Sequence, residues 1–137
     1  MSFLLDTNVI SELRKGPRCN LGVSSWFEEV ASEDLYLSVL TQGELRKGIE
    51  DLRRRDASAA KALEAWLLEI ENTYSERILP VDQAVAEQWG RFSVPDPLPV
   101  LDGLLAATAH VHGLTLVTRN LKDVERTGVG CLNPFRS

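Results

Sequence analysis

Four isolated acids stand where short apolar runs give way to helix-like patterns. Asp6 ends FLLD, Glu44 follows LYLSVLTQG, Asp102 opens LDGLLAATA, and Asp123 comes after LTLVTRNLK. Asp6, Glu44 and Asp123 fall just past the carboxyl end of an expected strand, the edge at which open α/β sheets bind ligands. Asp102 begins an apolar helix that can pack beside that edge.

Each acid taken singly also reads as a helix cap. Thr41-Gln42-Gly43-Glu44 matches a capping box, Asn120-Leu121-Lys122-Asp123 is a looser version, Asp6 suits the cap of a first helix, and Asp102 suits the positive end of its own. Magnitudes separate the two readings if the fold gathers the set. A cap or dipole interaction contributes roughly 0.3–2 kcal/mol, whereas two carboxylates ~4 Å apart repel by roughly 4 kcal/mol at an effective dielectric of about 20. Capping does not offset that repulsion. A hard divalent cation does, and oxygen ligands completed by water suit Mg²⁺ or Mn²⁺. Such a cation lowers the pKa of a bound water and neutralises charge developing on a phosphodiester, so no serine, cysteine or histidine nucleophile is required.

The elements that must position these acids follow from the apolar pattern. Buried strands are expected at Phe3 to Leu5, Leu35 to Leu40, Ile78 to Val81 and Leu114 to Val117, with a weaker one near Val129 to Leu132. Between them, Leu63, Trp66, Leu67, Ile70 and Tyr74 recur at helical spacing within Ala59 to Tyr74, and Val85, Trp89 and Phe92 repeat the pattern. Short buried strands alternating with helices predict an α/β domain with a mainly parallel sheet. Pro95, Pro97 and Pro99 flank Asp96 in a loop that delivers Leu101 and Asp102 to the next helix, because each proline fixes φ and removes a donor. Arg53, Arg54 and Arg55 beside Asp56 read as a solvated helix end.

The chain of 137 residues has the size of one domain, and its 44% hydrophobic and 26% charged residues are ordinary for a globular protein. No apolar run reaches a membrane span and the N-terminus lacks a secretory pattern, so the expected location is cytoplasmic. Cys19 and Cys131 are isolated thiols without CxxC spacing and are expected to be packing residues. A net charge of −5 argues against general attraction to nucleic acid, so any grip on phosphates must be local. Arg14, Lys15 and Arg18, Arg46 and Lys47, and Arg119 with Lys122 lie within a few residues of three of the acids. They read equally as solvated helix surface or as phosphate-gripping cations. His110 and His112, two positions apart on a helix, point about 200° from each other and do not form a ligand pair. Trp66 and Trp89 lie on apolar stripes and are assigned to packing.

The ordered set LDTNVISEL, TQGELRKGI and LDGLLAATAHVHGLTLVTRNLKDV resembles the PIN-domain family, specifically the VapC-type ribonuclease toxins of toxin-antitoxin pairs, over essentially the whole chain. The resemblance implies one domain over residues 1–137, a three-layer α/β/α sandwich with a parallel sheet of about five strands. It implies that Asp6 and Asp102 are the principal Mg²⁺ or Mn²⁺ ligands, Glu44 the third acid and Asp123 the fourth, with Asn8, Thr118 and Asn120 supporting them. Metal-dependent endoribonuclease activity leaving a 3′-hydroxyl and a 5′-phosphate, a cognate antitoxin and a homodimer also follow from the resemblance, with higher toxin-antitoxin assemblies as an extension. Two alternatives remain. A haloacid dehalogenase-type phosphatase also begins with a strand ending in aspartate, but it resembles a DxD pattern where this chain has Asn8, and a suitably placed late lysine is lacking. A receiver-like binding module would use Asp6 as phosphoryl acceptor and leaves Glu44 and Asp102 without a role.

Overall fold

The computed structural model describes residues 1–136. In chain order its elements are β1 (Phe3–Leu5), α1 (Thr7–Leu13), α2 (Leu21–Glu29), β2 (Leu35–Ser38), α3 (Val39–Arg53), α4 (Ala57–Thr73), β3 (Ile78–Leu79), α5 (Gln83–Phe92), α6 (Val100–His112), β4 (Thr115–Val117), α7 (Leu121–Val124) and β5 (Cys131–Leu132). The five strands form one sheet in the order β3-β2-β1-β4-β5. Every neighbouring pair is parallel, so each strand's C-terminal end opens on the same edge.

Alternation along the strands explains the three layers. Successive side chains in a strand point to opposite faces. Leu5, Leu35, Leu37 and Val117 accordingly pack with Val9, Ile10, Val23 and Tyr74, which places α1, α2 and the end of α4 on one face. Leu4 and Leu116 pack with Leu105, Ala106, Ala109 and Val124 on the other, beneath α6 and α7. A third cluster of Ile49, Ala60 and Leu67 joins α3 to α4. The helical stripes expected in Ala59 to Tyr74 and Val85 to Phe92 are α4 and α5, with Asp56 and Asp82 as caps that accept from Ala59 N and Val85 N at 3.0 Å each. The helix end expected around Arg53 to Asp56 is present and largely exposed.

Three local expectations are corrected. The strand expected to run to Leu40 stops at Ser38, whose hydroxyl accepts from Leu40 N at 3.0 Å and starts α3 at once. The capping-box reading of Thr41 to Glu44 fails for the same reason: Thr41 is fully buried inside the first turns of α3, so Glu44 is not tied back to a cap. The strand expected from Ile78 to Val81 is confined to Ile78–Leu79, because Pro80 has no N–H for a ladder.

α6 is the most buried helix, with Gly103, Leu105, Ala106, Ala107, Thr108 and Ala109 all inside. Its small residues allow close approach. A Cβ on Gly103 would lie 3.1 Å from the Trp89 ring, so the helix-packing role expected of that tryptophan holds. Gly113, with φ 66, ends α6 in the left-handed conformation and returns the chain to β4. Both cysteines are free thiols, Cys19 buried and Cys131 partly so. Among the described residues no helix is long and apolar enough to cross a membrane.

Candidate functional site

The register of β1 against β4 builds the centre of the site. Leu5 pairs with Val117, so the next residues, Asp6 and Thr118, emerge side by side from the carboxyl edge of the sheet. Asp6 N donates to Val117 O at 2.9 Å, and Thr118 N donates to Leu132 O at 2.9 Å, which fixes both backbones. Asp6 is only 7% exposed. Its Oδ1 accepts from Thr7 N at 2.6 Å as the cap of α1, and its Oδ2 accepts from the Thr118 hydroxyl at 2.7 Å and from Asn8 Nδ2 at 3.3 Å. Asn120 N donates to Thr118 Oγ1 at 3.0 Å, leaving the hydroxyl proton to point at Asp6. Asn8 Oδ1 in turn accepts from Arg119 N at 3.3 Å. Asp6 is thus both a cap and a fixed member of a larger arrangement; the two readings are not exclusive.

Glu44 reaches the same place from α3. The Thr7 hydroxyl donates to Glu44 Oε1 at 2.6 Å, with the Thr41 hydroxyl 3.3 Å from it. Sequence reasoning passed over Thr7, although a hydroxyl directly after the strand-ending acid is a visible signal. Asp102 stands in the first turn of α6, where the positive helix end favours its charge. A cleft of about 290 Å³ is lined by the acids Asp6, Glu44 and Asp102, by the polar Thr7, Asn8 and Asn120, and by the apolar Leu101 and Leu105. Asp123, on α7, lies outside that lining but close enough to Asp102 to raise its proton affinity.

Electrostatics shows how closely the four acids are drawn together. The Asp102 carboxyl is pushed up to about 6, first by burial, then by the charges of Asp6, Asp123 and Glu44, and by the hydrogen bond with Asp123. Each of these acts in the direction of keeping it protonated, as expected of carboxylates drawn toward one another. Among the described residues, no three acidic, imidazole or thiol side chains close a metal site on their own. Mg²⁺ usually takes one or two protein carboxylates and keeps several waters, so it does not need three such side chains. The acids are all oxygen donors: Asp6, Glu44 and Asp102 line the one cleft, and Asp123 stands outside it, near Asp102.

Among the described residues, the candidate RNA-binding cations divide into those paired with a carboxylate and those not. Arg46 NH1 lies 2.6 Å from Glu64 and 3.4 Å from Glu50, clamping α3 to α4. Lys15 Nζ lies 2.9 Å from Glu12, whose carboxyl is held below its usual range by Lys15 and by the Asn20 backbone. Arg14 sits 6.0 Å from the centre of the Trp66 ring, Lys47 is exposed on α3, and the Arg119 guanidinium lies 3.9 Å from the centre of the Phe135 ring. His110 and His112 are both exposed at the far end of α6 from Asp102 and take no part in the cleft.

Comparison with known proteins agrees with the fold. The PIN domain model matches residues 3–129. Toxin FitB of Neisseria gonorrhoeae is 34% identical over 96% of this chain and 97% of its own length. VapC ribonuclease Y4jK of Sinorhizobium fredii is 32% identical over 96% of each chain. The crystal structure of FitAcB from Neisseria gonorrhoeae superposes with a TM-score of 0.87 at 35% identity, covering 96% of this chain and 97% of that one. With the parallel sheet, the acids at its carboxyl edge and relatives of matching length, the chain belongs to the PIN-domain family, alongside the FitB and VapC toxins.

Proposed function

We propose that this chain is a Mg²⁺- or Mn²⁺-dependent endoribonuclease and the toxin of a toxin-antitoxin pair. One observation carries the reading: three carboxylates from separate segments line a single cleft, and two of them, with Asp123 outside the lining, raise the proton affinity of Asp102, so the cleft asks for a cation. The relative named as a VapC ribonuclease supports RNA as the polymer. Asp6 and Asp102 would hold the metal, with Glu44 and Asp123 completing its surroundings directly or through water. When bound, the cation supplies a water of lowered pKa and neutralises charge on the phosphodiester during in-line displacement, giving a 3′-hydroxyl and a 5′-phosphate.

The chain's own residues supply position. Thr118 and Asn8 fix the Asp6 carboxylate, Asn120 fixes the Thr118 hydroxyl, and Thr7 holds Glu44 by one oxygen. Leu101 and Leu105 wall the cleft with apolar surface, which strengthens the fields inside it. Neither the phosphatase nor the receiver-like alternative accounts for Glu44 and Asp102 standing with Asp6.

Cleavage of single-stranded RNA in Mg²⁺ or Mn²⁺, and its arrest by excess EDTA, is the expected result for the purified protein. Undiminished cleavage in the chelator rules out the metal mechanism. The kinship with FitB and VapC toxins supports a cognate antitoxin that covers the cleft, and a homodimer of this chain. Co-expression with the product of the neighbouring small reading frame is expected to restore growth and yield a stable complex. Continued toxicity without complex formation counts against that partner, and a monomeric mass in light scattering counts against the dimer.

A further inference from the structure

Arg119 differs from its neighbours in how it is held. Its backbone N–H is fixed by Asn8, which lines the cleft, and its successor Asn120 lines the cleft as well. Its guanidinium lies over the face of Phe135. Lys15 and Arg46, by contrast, are each within ion-pair distance of a carboxylate. Among the described residues no carboxylate forms such a pair with Arg119, although Glu12, already bonded to Lys15 and to Asn20 N, is near enough to feel its charge.

Phe135 is itself fixed by a clamp far away in sequence. Asn20 Nδ2 donates to Arg136 O at 2.8 Å, while Arg136 N donates to Asn20 Oδ1 at 3.0 Å. The same Oδ1 caps α2 by accepting from Gly22 N at 2.9 Å. Residues 134–136 lie so close to α2 that a Cβ on Gly22 would come within 2.2 Å of Pro134 O; only glycine leaves room for the segment. The Phe135 ring is half-buried against the first core cluster and cannot swing away without undoing that packing.

We infer that Phe135 is a positioning residue that holds the Arg119 guanidinium on the Glu12 side of the cleft-lining Asn8, as a preset grip for a phosphate of the RNA strand. The inference rests on the ribonuclease reading above. Stacking on a ring leaves the guanidinium edge and its N–H donors free, so the group still forks onto phosphate oxygens. A free arginine loses rotamer freedom on each binding event, whereas a stacked one has lost most of it in advance. The acid cleft repels a polyanion, so an oriented cation a short way from it helps to set where the strand settles.

The test is steady-state cleavage of a short single-stranded RNA by the full chain at fixed Mg²⁺ and ionic strength, with thermal midpoints as the folding control. Phe135→Leu keeps apolar packing and is expected to raise KM about two- to fivefold, the fold-change of an exposed cation–π contact, rather than lower kcat. Phe135→Tyr is expected to restore the wild-type KM. Arg119→Lys keeps the charge but loses the planar stack, and is expected to weaken KM as Phe135→Leu does. Combining the two is expected to add nothing. A wild-type KM in Phe135→Leu or in Arg119→Lys, or a further loss of the full factor in the double variant, overturns the positioning role while leaving the ribonuclease reading intact. If Phe135→Leu does not fold, Arg119→Lys decides alone. Absence of cleavage by the wild type overturns both.

Discussion

Asp102→Asn is expected to lower RNA cleavage roughly a thousandfold, equivalent to about 4 kcal/mol of lost transition-state stabilisation at a metal-dependent centre, while making the metal-free protein more stable at neutral pH. The two effects have one cause. The Asp102 carboxyl titrates at about 6 in the folded chain, above its unfolded value, so folding takes up a proton between about pH 4 and 6. Stability from this group is greatest below about pH 4 and falls as pH rises through about 6. Allowing for solvent screening at a half-open site, the loss is about 1–2 kcal/mol. Asparagine carries no charge and escapes it, giving up only the helix-end interaction of about 0.3–1 kcal/mol. Urea unfolding in EDTA is therefore expected to show wild type and variant coinciding near pH 4 and the variant ahead by about 1 kcal/mol or less at pH 7. Equal stability at both pH values, or retained cleavage, contradicts the shared acidic site.

Thr118→Val is expected to do the reverse in stability and the same, more weakly, in activity. The hydroxyl donates to a carboxylate that is nearly inaccessible to water, and valine has the same shape without the proton. Hydrogen bonds to charged groups contribute about 1.5–3 kcal/mol, so the metal-free variant is expected to lose that much in unfolding at pH 7. Partners that orient metal ligands typically matter by about 10–100-fold in metal affinity or activity, and cleavage is expected to fall within that range. Asn120 N loses its acceptor as well, which adds to the loss. The opposite stability signs of Thr118→Val and Asp102→Asn distinguish a hydrogen bond that holds an acid in place from a charge that repels its neighbours. A stabilised Thr118→Val, measured beside wild type, is incompatible with this geometry.

Most of the frame was legible in the apolar pattern because the three central strands are short and largely buried. Phe3, Leu4 and Leu5 needed no turn chemistry to be read as β1, and the parallel sheet followed from the helices between the runs. Boundaries were less legible where two rules compete. Val39 and Leu40 are apolar enough to extend β2, yet one hydroxyl, on Ser38, caps the next helix and ends the strand. That small shift moved Thr41 from the helix start into its buried interior, and with it the reading of Glu44. The influence of Asp123 on Asp102 was not legible from either residue alone, because no local signal says how close α6 and α7 bring them; it depends on tertiary packing. The pairing of Arg46 with Glu64 escaped notice for the same reason: the two are 18 residues apart and meet only when α3 packs on α4.

The central claim is that the gathered carboxylates form one cation site, and calorimetric titration of the metal-free chain with Mn²⁺ tests it most directly. A carboxyl titrating at about 6 is roughly half protonated at pH 6, and a cation that binds there displaces that proton. Run at pH 6 in two buffers of different ionisation enthalpy, the titration is expected to show saturable binding with release of about half a proton per ion, vanishing by pH 8. Binding and proton release are expected to disappear in Asp102→Asn. No saturable binding to the wild type, or binding and proton release that persist unchanged in Asp102→Asn, would contradict the account.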